Sequence, residues 1–430
     1  MKELAGAAQI QFQKLGLKHG DSVLLADQIS APLYAAIMAV LGLGATVILV
    51  EPFLPVSEID HIIQNLKPKV FVASTLGQLW GARVSSIRKI PNWIRAKALC
   101  SSNRTEKFRV ESVSPDAAGI ITFTSGTTGK SKGVVRTHAG LTAQNSAIRL
   151  AGNFEQYQKP DLAIFANLTL ANLGMGRGTI FIPPKWRPRD IARLNSLPDK
   201  WKPETLSGGP AFLNHFLNQD VLPDLKSIHI GGALTDCSVF ERGFKRFPNS
   251  RFYHVYGSSE AEPVSFSDAR LAVEASRAKG YIQTLLLGNP IPEIKTRFEP
   301  EGLWVTGPHS CRLYIGNEEE NKKTKLKDPD GTIWHFMGDR IKKEENGLWF
   351  AGRAQQSESD FKLEQQIYSF LGHTSCFLFR EQDKLVLSGE NLKKRTAGLH
   401  QKFPEIEKIQ QKKIIRDRRH RARIDRGASR

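Results

Sequence analysis

Cysteine is scarce in this chain and never closely spaced. Four cysteines, Cys100, Cys237, Cys311 and Cys376, are spread over 430 residues, and no Cys-x-x-Cys pair occurs. This pattern excludes a local zinc knuckle and favours a reducing compartment over a disulfide-rich secreted fold. The first residues, MKELAGAAQIQFQKLG, also lack the apolar core of a signal peptide. We therefore expect a cytoplasmic location.

Long uncharged runs are also rare, and residues 31–50 form the one that raises the question of a membrane span. These residues are nearly uncharged and numerous enough to cross a bilayer. Gly42 and Gly44 divide them into an Ala/Met/Leu-rich half typical of a helix and a Val/Ile half typical of a strand. We expect a buried helix followed by a core parallel strand, and no stable membrane span.

Basic residues exceed acidic ones, 61 to 43, for a formal net charge of +18. Such an excess requires nucleic acid or an anionic membrane to be considered as a partner. The excess is concentrated in residues 411–430, where a solvated basic tail or a lobe facing polyphosphate explains it equally well. Nucleic acid is therefore not the expected partner, although RNA binding through this tail stays open as an alternative.

Short apolar bursts alternate with helical segments through the first 260 or so residues. This alternation predicts an α/β fold in which parallel-rich sheets are covered by helices. Ligands of such sheets bind beyond the carboxyl ends of the strands, where Gly, Ser and Thr cluster here. The expected strands are 22–26, 46–50, 69–74, 120–124, 162–166, 179–183, 227–232 and 252–257.

The sequence pattern changes near residue 280 to short β-like runs separated by Gly, Pro and charged residues. Two segments, 302-GLWVTG-307 and 347-GLWFAG-352, share a pattern typical of hairpin strands. The charged segment 316–332 ends in a Pro-Asp-Gly turn and is predicted to be an exposed loop. We predict an N-terminal domain over residues 1–353, with 280–353 as its β-rich subdomain, and a small α+β C-terminal lobe over residues 354–430.

A strand ending near Thr124 runs directly into 125-SGTTGKSKG-133. Glycines let the backbone approach oxyanions, hydroxyl groups donate hydrogen bonds to them, and lysines neutralise their charge. A Walker-type loop needs Gly-x4-Gly-Lys-Ser/Thr, but Thr124 stands where its first glycine should be. The segment therefore predicts a polyphosphate site of another kind.

The pattern Ser-Gly-Thr-Thr-Gly-x-x-Lys-Gly after a strand resembles the phosphate loop of the AMP-forming adenylating superfamily. That superfamily contains acyl-CoA synthetases, peptide-synthetase adenylation domains and luciferases. The resemblance extends over nearly all of the chain. It implies a large N-terminal domain, a small mobile C-terminal lobe, ATP and Mg²⁺ as cofactors, and a carboxylic acid as the small-molecule substrate.

Further motifs of the superfamily follow in order. The turn 231-GGA-233 resembles its adenine-contacting turn, and 256-YGSSE-260 resembles its Tyr-Gly-x-Thr-Glu element. The resemblance implies that Tyr256 stacks on adenine, Ser259 reaches the α-phosphate and Glu260 holds Mg²⁺. A carboxylate facing a phosphate loop makes physical sense only with a cation between them, which supports the magnesium role.

Two motifs implied to contact the ribose come next. The segment 335-HFMGDR-340 resembles the Thr-Gly-Asp element whose aspartate binds both ribose hydroxyls, so that Asp339 takes this role and Met337 replaces the threonine. Arg353 is implied as a second ribose contact. Gln355 stands at the hinge position, where the family usually has Asp or Lys. The nucleotide-binding candidates are Thr124, Ser125, Gly126, Thr127, Thr128, Gly129, Lys130, Gly133, Gly231, Gly232, Ala233, Tyr256, Gly257, Ser259, Asp339 and Arg353.

The tail departs from the family at a catalytic position. Residues 417–425 resemble an Asp-x-Arg-His-x-x-Lys-Ile segment, but Arg423 replaces the lysine that reaches the α-phosphate and the substrate carboxylate. Arginine keeps the charge but is a wider, planar group. Lys132, Glu260 and Arg423 are therefore the catalytic candidates. Three alternatives stay open: slower adenylation, substitution by Lys412 or Lys413, or a nucleotide-binding scaffold without activity.

The acid and its final acceptor are constrained less by the sequence. Residues 354–367 lack the glycine-containing loop that forms the family's thiol tunnel, which weakens the case for coenzyme A. No Asp occurs in residues 229–235 to pair with an amino acid's amine. Short motifs in the second half resemble the olefin β-lactone synthetases, which implies a fatty or 3-hydroxy fatty acid and closure to a β-lactone. A coenzyme A or acyl carrier protein ligase is the alternative.

The expected pocket residues are Phe165, Leu168, Leu170, Leu173 and Met175.

Overall fold

A computed structural model describes residues 1–50, 54–100, 107–125, 131–182, 187–221, 224–415, 424 and 426. The chain forms two compact units. Unit 1 comprises residues 1–146, 259–261 and 306–335, and unit 2 comprises residues 147–258, 262–305 and 336–430. The predicted boundary after residue 353 is not tested by this division and stays a prediction.

The strands of the described residues are β1 Ser22–Ala26, β2 Thr46–Leu49, β3 Val70–Ala73, β4 Asn92–Arg95, β5 Ala118–Ser125, β6 Ser131–Thr137, β7 Asp161–Ala163, β8 Thr179–Ile180, β9 Thr205–Gly208, β10 Ser227–Gly231, β11 Arg251–Ser258, β12 Ala261–Asp268, β13 Leu286–Gly288, β14 Lys295–Glu299, β15 Gly302–Thr306, β16 Tyr314–Ile315, β17 Lys325–Lys327, β18 Ile333–Phe336, β19 Asp339–Glu344, β20 Gly347–Arg353, β21 Cys376–Glu381, β22 Lys384–Gly389 and β23 Lys408–Gln411.

The helices of the same residues are α1 Lys2–Lys14, α2 Ala31–Gly42, α3 Val56–Leu66, α4 Thr75–Gly81, α5 Ser85–Arg88, α6 Ala96–Leu99, α7 His138–Ala151, α8 Ala166–Gly174, α9 Pro188–Ala192, α10 Pro210–Phe216, α11 Cys237–Arg246, α12 Ala269–Ala278, α13 Glu318–Thr324, α14 Glu358–Leu371 and α15 Thr396–Lys402.

Unit 1 is built on a seven-stranded sheet with the order β16-β6-β5-β2-β1-β3-β4. The run from β5 to β4 is parallel, and β6 and β16 join its edge in the antiparallel direction. Leu24, Ile48, Phe71 and Ile121 form a buried core on this sheet together with Ile59 of α3. The α/β fold predicted from the alternating pattern is confirmed, and the predicted phosphate loop follows a central strand.

The apolar run 31–50 folds as a buried helix, a turn and a core strand. Ser30 caps α2 by accepting a hydrogen bond from the Leu33 amide, and α2 and β2 are separated by a turn at Gly44, where φ is +67°. A left-handed backbone favours glycine, which explains why the run breaks at this point. Among the described residues, no helix is both long enough and apolar enough to cross a membrane.

Unit 2 contains a six-stranded sheet with the order β12-β11-β10-β9-β7-β8, parallel from β11 to β8. Its core includes Leu206, Phe212, Ile228, Phe240 and Phe252. The antiparallel part predicted after residue 280 is present, with β20 between β13 and β19.

The charged segment 316–332 was predicted to be an exposed loop, and that prediction is wrong. Residues Glu318–Thr324 form α13, and Lys325–Lys327 form β17. Asn317 caps the helix by accepting a hydrogen bond from the Glu320 amide at 3.0 Å. Three glutamates in the first turn and two lysines in the last complement the helix dipole, so the charge pattern is that of a short capped helix.

The C-terminal segment of unit 2 packs α14 and α15 on a three-stranded sheet of β21, β22 and β23. Its core contains a charged pair. Glu364 is 2% exposed, and its carboxylate accepts hydrogen bonds from Arg426 at 2.6 Å, Tyr368 at 2.7 Å and the Leu378 amide at 2.9 Å. Ile424 packs on the neighbouring cluster around Phe377. Ile424 and Arg426 thus attach the end of the chain to this sheet.

Replacing Arg426 by alanine is expected to lower the free energy of unfolding by about 2 kcal/mol, because it leaves the buried Glu364 carboxylate without its cation. The Arg426 side chain is 35% exposed, so the effect falls short of that for a fully buried pair. The unfolding midpoint in urea, followed by circular dichroism, measures the change.

Lys408→Ala is the control in the same sheet, because Lys408 and Glu381 form an ion pair in which both side chains are about half exposed. It is expected to cost less than about 1 kcal/mol. Equal losses for the two variants would contradict the role assigned to the buried pair.

Candidate active site

The predicted phosphate loop connects β5 to β6, with Ser125 opposite Ser131 in an antiparallel register. Gly133 lies in β6, where a side chain would come within 2.9 Å of the Phe123 ring. The loop is therefore based on a strand pair that needs glycine for close packing. The contacts predicted for Thr124, Ser125, Gly126, Thr127, Thr128, Gly129, Lys130 and Arg423 lie outside what the structure describes.

Lys132, in the part of the loop segment that belongs to β6, and Glu260 form a buried ion pair. Their Nζ and Oε1 atoms are 3.1 Å apart. The Tyr314 hydroxyl donates to the same Oε1 at 2.8 Å and accepts from Lys132 Nζ at 3.1 Å. The three side chains thus close a triangle of hydrogen bonds. We call this triangle, together with the surrounding Glu320, Lys325 and His335, the Glu260 cluster.

A second layer of charged and polar groups surrounds the triangle. Glu320 of α13 accepts from Lys132 at 3.4 Å. Lys325 lies over the Tyr314 ring, 4.4 Å from its centroid, and contacts His335 Nδ1 at 3.2 Å. Lys132 lies 4.6 Å from the centroid of the same ring. Two ammonium groups therefore share one aromatic ring, whose hydroxyl is hydrogen-bonded to Glu260.

The Glu260 carboxyl is held in its ionised form. Burial by itself raises its pKa, but the charge of Lys132 and hydrogen bonds from Tyr314 and Lys132 outweigh burial and hold the pKa well below the usual range. Burial and the charge of Lys325 lower the pKa of His335 to about 3, so the imidazole is neutral at pH 7. At neutral pH, Lys132 is therefore the cation paired with Glu260.

The segment that carries Glu260 is fastened to β6 by Arg136. The Arg136 guanidinium donates to the Ser259 carbonyl at 2.7 Å and to Thr122 Oγ1 at 2.7 Å. The Glu260 carbonyl also accepts from the Cys311 amide at 2.6 Å. Ser259 and Glu260 are thereby held beside the strands that flank the phosphate loop.

Unit 2 holds a second polar cluster, formed by Tyr256, Asp339 and Arg353 and called here the Asp339 cluster. The Tyr256 hydroxyl donates to Asp339 Oδ2 at 2.8 Å, and Arg353 pairs with Oδ1 at 2.5 Å. Asp339 is 4% exposed. Burial and the adjacent Asp339 charge raise the pKa of Tyr256 well above its usual value, so the phenol stays protonated and donates.

The turn 231–233 follows β10, and Tyr256 and Gly257 lie near the end of the parallel neighbour β11. A side chain at Gly231 would come within 2.8 Å of the Val255 carbonyl, and Gly232 has φ of +82°. Both glycines are therefore required by the backbone. The parallel register brings this turn and Tyr256 to the same edge of the sheet.

An apolar pocket lies in unit 2 at the same edge. Phe154, Phe165, Leu168 and Phe266 supply apolar walls, and His229 and Glu262 are polar members of its lining. Of the five residues predicted to line a pocket, Phe165 and Leu168 do so. Met175 packs instead with Leu168 on the core around Phe154, and Leu170 and Leu173 are not among the lining residues.

Sequence reasoning missed several members of the Glu260 cluster. Tyr314, Glu320, Lys325 and His335 all lie in the predicted β-rich subdomain, Glu320 and Lys325 within its predicted loop 316–332, and neither they nor Arg136 were predicted as site residues. The available signal was the helix-like charge order of residues 317–324. Nothing local indicates that Lys325 and His335 approach Tyr314, because their proximity results from the pairing of β17 with β18.

Glu260 is the candidate protein ligand for a metal ion at this site. In the part of the chain that the structure describes, no group of three or more His, Cys, Asp or Glu side chains is arranged to hold a metal ion. Glu260 offers one ionised carboxylate, the ligand type that Mg²⁺ prefers. Because Mg²⁺ in nucleotide sites takes most of its other ligands from phosphates and water, Glu260 fits the role of its protein ligand.

Comparison with known sequences identifies one family. The profile described as AMP-binding enzyme matches residues 5–299. A 4-coumarate–CoA ligase-like protein of Arabidopsis thaliana is 26% identical over 353 residues, which cover 73% of this chain and 62% of the relative. A D-alanine–D-alanyl carrier protein ligase of Streptococcus equi is 26% identical over 81% of this chain and 70% of its own. The chain thus spans under two thirds of the plant relative's length.

Solved structures share the fold. The amide bond synthetase McbA of Marinactinospora thermotolerans superposes with a TM-score of 0.79 at 14% identity, over 99% of this chain and 92% of its own. ATP-bound MatB of Rhodopseudomonas palustris gives a TM-score of 0.74 at 17% identity, over 96% and 89% of the two chains. At these identities the likeness shows the fold alone.

Tyr314→Phe is expected to lower the free energy of unfolding by about 1–2 kcal/mol, because the Lys132 ammonium and the buried Glu260 carboxylate each lose a hydrogen-bond partner while the ring stays in place. Urea denaturation at pH 7 measures the loss. Tyr253→Phe is the control, since its hydroxyl bonds only the exposed Asn153 side chain among the described residues. The control is expected to stay within about 0.5 kcal/mol of the unmodified protein. A neutral result for Tyr314→Phe would show that the triangle is not formed.

Proposed function

Because this chain belongs to the AMP-binding enzyme family, we propose that it is an AMP-forming ligase that uses ATP to activate a carboxylic acid. The observation that supports this most is the buried ion pair of an ionised Glu260 with Lys132, which lies in the strand pair that carries the Ser/Thr/Gly/Lys loop. An ionised carboxylate beside a phosphate-binding loop suits a site for a nucleotide and its counter-ion.

The proposed reaction is attack of a carboxylate oxygen on the α-phosphorus of ATP. A bond forms between that oxygen and phosphorus, the bond from phosphorus to the oxygen bridging the β-phosphate breaks, and pyrophosphate leaves with its electron pair. The products are an acyl-adenylate and pyrophosphate. No protein nucleophile takes part, so catalysis comes from positioning and from charge neutralisation by Lys132, the 125–133 loop and Arg423.

Magnesium, when bound, would neutralise phosphate charge, with Glu260 as its protein ligand. Tyr314 and Lys132 keep that carboxylate ionised and oriented. Arg136 holds the backbone of Ser259, so that the Ser259 side chain is proposed to reach the α-phosphate. These residues act before the chemical step by presenting a fixed arrangement of charges, which avoids reorganisation during the reaction.

For the nucleoside, we assign the ribose to Asp339 and Arg353 and the adenine to Tyr256 and the 231–233 turn. A carboxylate accepts two hydroxyl donors, and the Tyr256 and Arg353 contacts orient Asp339 for that purpose. The bare backbone of Gly231, Gly232 and Ala233 would let a flat base approach closely. The lobe of residues 354–430 is proposed to move about the hinge at Gln355 between steps.

The substrate is proposed to be a fatty or 3-hydroxy fatty acid bound in the apolar pocket of unit 2. Closure of an activated 3-hydroxy acid to a β-lactone needs no thiol, which agrees with the absence of a glycine-containing loop in residues 354–367. Transfer to coenzyme A or an acyl carrier protein is the second candidate, supported by the names of the plant and streptococcal relatives, a CoA ligase-like protein and a carrier protein ligase.

Pyrophosphate release measured with a panel of fatty, 3-hydroxy fatty and aryl acids tests the proposal. We expect acid-dependent release with at least one class, and an acyl-hydroxamate when hydroxylamine is present to trap the adenylate. Reactions without acid and with Glu260→Gln are the controls; the variant is expected to lose roughly 100-fold or more in rate, because it removes the charged metal ligand. If the protein binds ATP but releases no pyrophosphate with any acid, the ligase proposal is wrong and the protein is a nucleotide-binding scaffold.

Arg423 is expected to work in place of the family's lysine. Arg423→Ala should reduce pyrophosphate release by on the order of 100-fold, because a positive charge facing the transferring phosphate is lost. Arg423→Lys should lower the rate or leave it nearly unchanged, with ATP affinity retained. A large gain in turnover for Arg423→Lys would contradict this role and identify the protein as an impaired catalyst.

A further inference from the structure

His229 is a buried polar side chain that the proposed chemistry does not use. It lies on β10, is 4% exposed and lines the apolar pocket of unit 2. Its ring is stacked between Phe154, with centroids 4.4 Å apart, and Tyr253, with centroids 4.9 Å apart. Two aromatic neighbours hold the plane of the ring, so its nitrogens point in defined directions.

The hydrogen bonds of His229 determine its tautomer. Nε2 lies 3.2 Å from the Gly152 carbonyl oxygen and 3.3 Å from Ser227 Oγ. A carbonyl oxygen only accepts, so Nε2 carries the hydrogen. Burial lowers the pKa of His229 to about 4, against the raising effects of Asp161 and the Gly152 bond, so the ring is neutral at pH 7. Nδ1 is therefore a bare acceptor.

That acceptor is unsatisfied. Nδ1 is buried and has no hydrogen-bond partner among the described residues. Buried polar atoms without a partner are uncommon, and one in a pocket lining calls for an explanation. Among its buried polar neighbours, the Asp161 carboxylate accepts from Thr205, Ser207 and Asn172, whereas Arg177 Nε also has no partner among the described residues. Nδ1 of His229 is thus a buried acceptor that lacks a donor.

We infer, resting on the proposed function, that the pocket selects acids whose acyl group carries a hydroxyl group, which donates to Nδ1 of His229. A hydroxyl fits better than an ammonium group. Nδ1 offers one lone pair, the walls are aromatic, and the buried Arg177 guanidinium nearby opposes a second cation. Glu262, the other polar lining residue, already accepts from Asn167 at 2.9 Å.

An apolar pocket with an unpaired built-in acceptor discriminates by leaving that acceptor unpaired when the wrong acid binds. A plain alkyl or phenyl acid fills the same volume but forces Nδ1 to stay unsatisfied. A hydroxylated acid donates a hydrogen bond to Nδ1. It loses little binding free energy on leaving water, because its own hydroxyl group also has a partner in the pocket. His229 is thus a specificity-determining residue rather than a catalytic one.

The test compares matched acids. Pyrophosphate release is measured with para-hydroxyphenylpropanoic and phenylpropanoic acids, and with straight-chain acids bearing a hydroxyl at the third carbon, at the far end or nowhere. We expect kcat/KM to be on the order of 10- to 100-fold higher for at least one hydroxylated acid than for its parent. Equal values within every pair would overturn the inference while leaving the proposed function intact.

His229→Gln then assigns the preference to this residue. Glutamine can keep a donor toward Gly152 but has no acceptor at the Nδ1 position, so the preference should fall to within about threefold, through a lower kcat/KM for the hydroxylated acid. His254→Gln is the control, a buried neutral histidine on the adjacent strand β11 that does not line the pocket. It should leave the preference unchanged. A preference that survives His229→Gln would overturn the inference.

Binding of the same acids, measured by the shift in thermal unfolding, separates this inference from the proposed function. A hydroxyl-dependent, His229-dependent shift without pyrophosphate release would retain the pocket assignment and reject the ligase. Pyrophosphate release that does not depend on a hydroxyl group would retain the ligase and reject the pocket assignment. An amino-substituted acid is included, and a His229-dependent gain for it alone would reject the neutral hydroxyl in favour of an ammonium donor.

Discussion

Unit 1 depends on keeping one buried glutamate charged. Removing a carboxylate from water strongly favours its neutral form, and only close cations and hydrogen-bond donors reverse that preference. Lys132 and Tyr314 do so at Glu260, and they come from β6 and β16, the antiparallel edge of the seven-stranded sheet. The sheet edge, helix α13 and strand β17 therefore assemble around one charge, which explains why a highly charged segment is ordered there rather than exposed as a loop.

The Asp339 cluster of unit 2 follows the same rule with a different set of partners. Its aspartate is buried but has a phenol on one oxygen and a guanidinium on the other. A buried carboxylate with both oxygens engaged has a fixed orientation, and that is the property a site for neighbouring hydroxyl groups requires. The apolar pocket differs in kind, because its buried acceptor at His229 has no partner among the described residues and is best explained by a ligand.

Much of the fold was predictable from local patterns. The strands around residues 22–26, 46–49, 118–125, 227–231 and 251–258 are short apolar runs ended by Gly or small polar residues, and each formed close to its expected position. Helix α13 was missed because a run of glutamates and lysines is read as a solvent-exposed loop unless the Asn317 cap is noticed. Of the nucleotide residues, the backbone roles of Gly231 and Gly232 follow from local geometry, whereas the ligand contacts of the 126–130 loop and of Arg423 stay predictions.

The sequence by itself determined the family, the α/β class and the positions of the nucleotide motifs, because these depend on residue order and on backbone needs that are local to each turn. Only the tertiary structure decided which side chains meet. Tyr314 reaches Glu260, Lys325 reaches His335 and His229 stacks between Phe154 and Tyr253. These contacts join residues far apart in the chain, and strand pairing and packing, which no short motif encodes, bring them together.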